Sequence, residues 1–251
     1  MKKLALFLLS LSLIATAYEG PSQRVELEDV LVVALGGYNS CGSSNNPYSI
    51  GMYGQTEALV KKLSARTPKV KYIVACLRTA APPTGEGRYV TSDAPNDIRV
   101  GDAAKLKSVI ESMSTKNTPI FVIGHSYGGW LSMYLSTQLA DRKLAGLFTV
   151  DPISPKTCGP VEVLIGAAGC HQAPRDLENG DILKTTAHWL NFFQTDDRWL
   201  TSSEIDEAQN FHITYDDSHT AIDGDDRVWT RIVTTVQSEV GLFRKDGFRN
   251  D

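Results

Sequence analysis

In the run Ile123-Gly124-His125-Ser126-Tyr127-Gly128-Gly129, a serine stands between glycines two residues away on either side. Where such a G-x-S-x-G run joins a strand to a helix, the serine is forced into a strained backbone turn, and larger residues at the glycine positions would collide in the bend. The turn lifts the hydroxyl off the sheet. It also aims the first amides of the helix at the same spot, where they can hold a developing oxyanion. This is the chemistry of a serine nucleophile. A serine hydroxyl is a poor nucleophile at its own pKa, so a base must take its proton and a third group must orient that base.

Five histidines are candidates for the base. His125 adjoins the serine and is expected to pack away from the reactive face of the turn. His188 begins a predicted strand and His212 lies inside one, positions where an imidazole is more often structural. His171 sits beside Cys170 in a loop that could cover the site. His219, in Asp216-Asp217-Ser218-His219-Thr220, follows the last predicted strand on the sheet edge that should carry Ser126. It is also downstream of every candidate acid, so the chain order is serine, acid, histidine, and it is assigned as the base. For the acid, Asp151 leaves an apolar strand directly, and Pro152 ends that strand. Asp196 and Asp197 follow the next strand and are the alternatives. Asp151 is favoured because a carboxylate emerging from apolar surroundings needs a buried partner, whereas Asp196-Asp197-Arg198 reads as a solvated turn. The expected oxyanion donors are the amide of Tyr127 and one from Gly36-Gly37-Tyr38-Asn39, with Gly37 and Tyr38 as candidates.

These groups must be positioned by elements, and the hydrophobic pattern supplies them. Apolar, β-branched stretches over 29–35, 70–77, 119–124, 144–150, 189–194 and 211–215 read as strands. Helical periodicity is expected over 54–65, 97–114, 127–140 and 225–240. Alternation of the two predicts βαβ units and a mostly parallel sheet of about six strands, α/β in class. Irregular stretches are expected over 39–53, 80–95 and 154–179, all after strand ends, where ligands of open α/β sheets bind. No repeat or linker interrupts the chain, so residues 18–251 are expected to form one domain. The 251 residues are 42% hydrophobic and 22% charged, which excludes a disordered or fibrous chain. With a formal charge of −4 and scattered basic residues, no nucleic-acid partner is expected.

Lys2 and Lys3, an apolar run from Leu4 to Ile14 and the exit Ala15-Thr16-Ala17 read as a cleaved signal peptide over residues 1–17. The run is too short to span a bilayer. The expected location is therefore secreted or periplasmic, with no transmembrane segment. In an oxidising compartment the four cysteines are expected to form two disulfides. Cys158 with Cys170 and Cys41 with Cys76 are the favoured pairs. No close Cys or His pairs suggest zinc, so no metal or other cofactor is expected. Asp223-Gly224-Asp225-Asp226 lacks the remaining ligands of a calcium loop and reads as the start of the last helix.

With elbow, acid and final histidine placed, the chain resembles the α/β-hydrolase superfamily, and within it the lipase-like branch, from Val30 to about Val240. Val150-Asp151-Pro152-Ile153 is similar to the Asp-Pro turn that carries the acid in many lipases of that branch. The resemblance implies a reduced α/β-hydrolase fold lacking the amino-terminal hairpin of larger members, similar to small secreted lipases and cutinases. Tyr127 departs from the cutinase elbow, which usually has Gln after the nucleophile. The implied activity is cleavage of small-molecule or lipid carboxylic esters by a monomer through an acyl-enzyme. A thioesterase or peptidase with the same triad, or a non-catalytic binding protein on the same fold, is the alternative.

Overall fold

A computed structural model describes residues 29–38, 40, 51–65, 69–77, 86–91, 95–99, 103–139, 141–153, 179–196, 201–214 and 219–245. Residues 1–17, Cys41, Cys158, Cys170, His171 and Asp197 lie outside them. The expected signal segment and both disulfide pairings therefore do too; Cys76 stands on a strand opposite Gly36.

The core is an eight-stranded sheet in the order β4-β3-β2-β1-β5-β6-β7-β8. Its strands are β1 (Val30–Tyr38), β2 (Val70–Leu77), β3 (Glu86–Thr91), β4 (Pro95–Arg99), β5 (Ile120–His125), β6 (Gly146–Val150), β7 (Trp189–Phe193) and β8 (Gln209–His212). The six strands from β2 to β8 in that order pair in parallel. These are the six expected from the apolar runs. β3 and β4 add an antiparallel hairpin beside β2, which corrects two expectations. Residues 86–91 lie in a stretch expected to be irregular, and residues 97–99 in one expected to begin a helix. The antiparallel edge comes from the chain between β2 and the next helix; residues 1–28, where an amino-terminal hairpin would lie, are outside the described residues.

Helices α1 (Gly51–Ser64), α2 (Ala103–Met113), α3 (Tyr127–Gln138), α4 (Asn179–Thr185) and α5 (Asp226–Lys245) cover the two faces. Alternation along a strand decides which residues meet which layer. On β1, Leu31, Val33 and Leu35 join the core beneath α2 and α3, with Leu106, Ile110, Leu131 and Leu135. Val30, Val32 and Ala34 point the other way, to Met52 and Leu59 of α1 and Trp229 and Ile232 of α5. Buried on both faces, β5, β6 and β7 have no exposed residue, and this is why their sequence runs apolar without alternation. Helix α3, expected to be amphipathic, is buried on most of its surface. Its buried Ser132 and Ser136 hydroxyls donate to the carbonyls of Gly129 and Met133, three residues back, which satisfies them within the helix. The described residues form an α/β fold, a mostly parallel sheet flanked by helices on both faces.

Candidate active site

The turn from β5 to α3 is built by what its glycines exclude. A Cβ on Gly124 would lie 2.3 Å from the carbonyl oxygen of Gly128, and one on Gly128 would lie 2.0 Å from the carbonyl oxygen of Leu35. One on Gly129 would meet Pro152 Cβ at 2.7 Å. Only in their absence can α3 start directly against β1 and the turn after β6. Ser126 at the apex has φ 59° and ψ −130°, a conformation costly for any residue with a side chain. Main-chain bonds hold it there. The Ser126 amide donates to Val150 O at 3.0 Å, and its carbonyl accepts from the amides of Gly129 at 2.9 Å and Ile153 at 3.1 Å. The Ser126 turn and the Asp151-Pro152-Ile153 turn are thereby stapled together.

Asp151, fully buried, follows the last residue of β6 with φ 46°. Its amide donates to Phe192 O at 2.6 Å. Its carboxylate is the centre of a set of donors. His219 Nδ1 lies 2.5 Å from Oδ2, the side-chain amide of Gln194 donates to Oδ2 at 2.8 Å, and the main-chain amide of Gln194 reaches Oδ1 at 3.3 Å. Burial by itself raises the carboxyl pKa. The bond and charge of His219, with the Ser202 and Gln194 side chains, outweigh it and hold Asp151 below the ordinary carboxylate value. On the other side of the imidazole, His219 Nε2 lies 2.7 Å from Ser126 Oγ. With Asp151 accepting at Nδ1, the ring hydrogen belongs on Nδ1. Nε2 is then free of hydrogen and faces the serine hydroxyl as an acceptor.

The remaining candidates fall as follows. Asp196 is exposed; its amide donates to Gln194 Oε1 at 2.9 Å. His188 pairs with Glu239 at 3.1 Å, while His212 stacks on Phe193 and contacts the Thr195 hydroxyl. His125 is buried directly behind His219. Asp225 caps α5, accepting from the Arg227 amide at 2.7 Å and from the Arg227 guanidinium. Tyr127 contributes the first amide of α3, which has no partner four residues back within the helix. Gly37 stands against both, since a Cβ there would lie 2.6 Å from Ser126 Oγ and 3.1 Å from the Tyr127 nitrogen. Tyr38 ends β1 just past a register shift. An oxyanion on a carbonyl attacked by Ser126 would form between this strand end and the start of α3. Sequence reasoning missed Gln194, which it treated as the last residue of a strand. The available signal was an amide side chain at the end of the strand beside the one that delivers Asp151.

No family model matches the sequence, and no curated protein matches it. Solved structures similar to the chain include Est1E from Butyrivibrio proteoclasticus, 12% identical over 88% of this chain and 92% of that one, with a TM-score of 0.45. ClbQ from the colibactin NRPS/PKS pathway is 14% identical over 85% of this chain and 99% of that one, TM-score 0.41. The type II thioesterase BorB from the borrelidin biosynthetic cluster is 12% identical over 83% and 92%, TM-score 0.43.

Proposed function

We propose that the chain is a secreted serine hydrolase that cleaves carboxylic esters, with Ser126 as nucleophile, His219 as base and Asp151 as the acid that orients it. The observation that carries this is the continuous line of short contacts from Ser126 Oγ to His219 Nε2 and from His219 Nδ1 to Asp151, 2.7 Å and 2.5 Å. As Ser126 Oγ attacks the ester carbonyl, its proton passes to His219 Nε2. The oxyanion is held by the amide of Tyr127 and one from the Gly37-Tyr38 segment. Collapse expels the alcohol, which takes the proton from Nε2 and leaves an acyl group on Ser126. Water then gives a proton to Nε2 and attacks the acyl carbon; the carboxylic acid departs and Ser126 recovers its hydrogen. Asp151 stays ionised throughout and offsets the charge that His219 gains twice per cycle. Lipid or small acyl esters are the proposed substrates, residues 1–17 the export signal, and Cys41–Cys76 and Cys158–Cys170 the bridges formed after export.

A fluorophosphonate probe tests the triad. The wild-type chain should form an adduct at Ser126, and Ser126→Ala should form none while melting at an unchanged temperature. A wild-type chain that stays unlabelled and hydrolyses no nitrophenyl ester sinks the proposal and leaves a binding protein on a hydrolase fold. Matched oxygen esters and thioesters of increasing acyl length would then assign the substrate: faster turnover of the thioesters would replace the ester reading with a thioesterase.

A further inference from the structure

A second buried histidine stands behind the base. The His125 ring centroid lies 4.8 Å from that of His219, and its side chain is 1% exposed. Its Nε2 lies 2.9 Å from the main-chain carbonyl of His219, and its Nδ1 lies 2.7 Å from the Ser40 hydroxyl. A carbonyl can only accept, so Nε2 carries the hydrogen, and Nδ1 of the neutral ring accepts from Ser40. Burial, reinforced by the charge of His219, pushes the His125 pKa down to about 3 against the opposing pull of Asp151. This agrees with a ring that stays neutral. Ser40 belongs to the segment just past Gly37: its amide donates to Gly37 O at 3.4 Å, and its carbonyl accepts from the Met52 amide at 2.6 Å. One imidazole thus touches three stretches of chain that meet at Ser126. These are the strand end that would supply an oxyanion donor, the nucleophile turn, and the loop bearing the base. An apolar side chain in its place would leave the His219 carbonyl and the Ser40 hydroxyl without these partners, an expensive arrangement for buried groups.

We propose that His125 is a positioning residue, which holds the His219 loop through Nε2–H and the Ser40 segment through Nδ1 in register with Ser126. The proposal rests on the serine-hydrolase reading above. In the full chain, His125→Leu should lower kcat roughly tenfold or more with little change in KM, because the base is displaced rather than the substrate site. Phosphonylation of Ser126 should slow by a similar factor. His125→Gln, whose side-chain amide can still reach the His219 carbonyl, should recover most of the rate. Ser40→Ala should show a smaller loss, and adding it to His125→Leu should cost little more than His125→Leu alone, since both remove one network. The far-downfield proton resonance of the His219–Asp151 bond should broaden or vanish in His125→Leu and persist in His125→Gln. Wild-type kcat in His125→Leu, equal losses for Leu and Gln, or losses for Ser40 and His125 that simply multiply would each overturn the proposal. If His125→Leu fails to fold, His125→Gln and Ser40→Ala still decide it. A Gln variant without the resonance, or a Ser40→Ala variant with wild-type kcat, counts against it. The two readings fail separately. A wild-type chain without an adduct at Ser126 defeats the hydrolase, whereas the resonance, recorded in a Ser126→Ala background, still reports whether His125 orders the base.

Discussion

Gly37 lies so close to Ser126 that a methyl group on its Cα would come within 2.5 Å of the serine Cβ and 2.6 Å of Oγ. Gly37→Ala must therefore push either the strand end or Ser126 out of place. Ester hydrolysis and Ser126 phosphonylation should fall by about 100-fold or more, the scale of losing one oxyanion donor, while the thermal midpoint drops only modestly. An alanine variant with wild-type rates would mean that no catalytic group depends on this approach. Gln194 acts on the other end of the same line of groups. Gln194→Leu removes the side-chain donor to Asp151 Oδ2 and the acceptor for the Asp196 amide, so urea unfolding should show a loss of about 1–3 kcal/mol. At this scale the serine, the acid and the histidine were legible because a motif or a strand end singles out each one. Gln194 was not, because a polar residue at the end of a strand is ordinary until its neighbour is known to be a buried carboxylate.

Among the elements, the contact of α3 with β1 tolerates the least change. Gly128→Ala would drive a methyl group to 2.0 Å from Leu35 O and 2.4 Å from its carbon, both main-chain atoms that cannot rotate away. A loss of more than about 3 kcal/mol, or failure to accumulate as folded protein, is expected from denaturant melts and expression level. A Gly128→Ala chain as stable as wild type would show that α3 is not seated against β1 in this way. The same burial explains what periodicity could and could not reveal. Strands β1, β2, β5, β6 and β7 are long apolar runs closed by turn residues and are visible without knowing their neighbours. The hairpin of β3 and β4 is not. Glu86-Gly87-Arg88-Tyr89-Val90-Thr91 mixes charges with β formers, and Pro95-Asn96-Asp97-Ile98-Arg99 holds weak ones. β3 is a strand because β2 offers an edge to pair with, and β4 because β3 then offers the next one, a context that overrides local preference. Helix α4, seven residues long, is likewise too short for a helical repeat to register.

Across the whole molecule, two buried groups titrate against each other. Burial raises the Asp223 carboxyl from 3.8 to about 7, and burial lowers His125 from 6.5 to about 3; Asp223 Oδ2 stands 3.5 Å from His125 Nδ1. Between about pH 4 and 6.5 the unfolded chain carries one proton on this pair, on the histidine. The folded chain also carries one, on the aspartic acid, so the pair adds almost no pH slope to stability. Asp223→Asn breaks that balance. The lowered His125 then stands alone, and its contribution is intact above pH 6.5 and lost as pH falls toward 3, with a slope of up to about 1.4 kcal/mol per pH unit. Urea melts of this variant at pH 7.5, 6 and 5 should lose stability much faster than wild type, and parallel curves would refute the neutral pair. Asp151, whose carboxyl is held below its ordinary value, adds stability that fades in both proteins only in more acidic solution. The distances along the chain carry a last consequence. His219 follows Ser126 by 93 positions and Asp151 by 68, and parallel pairing brings them together only after such long loops have closed. During synthesis the ribosome therefore releases the hydroxyl and the carboxylate well before the imidazole that joins them. With the proposed triad, a nascent chain carries Ser126 disarmed until β8 and the loop beyond it have emerged and docked.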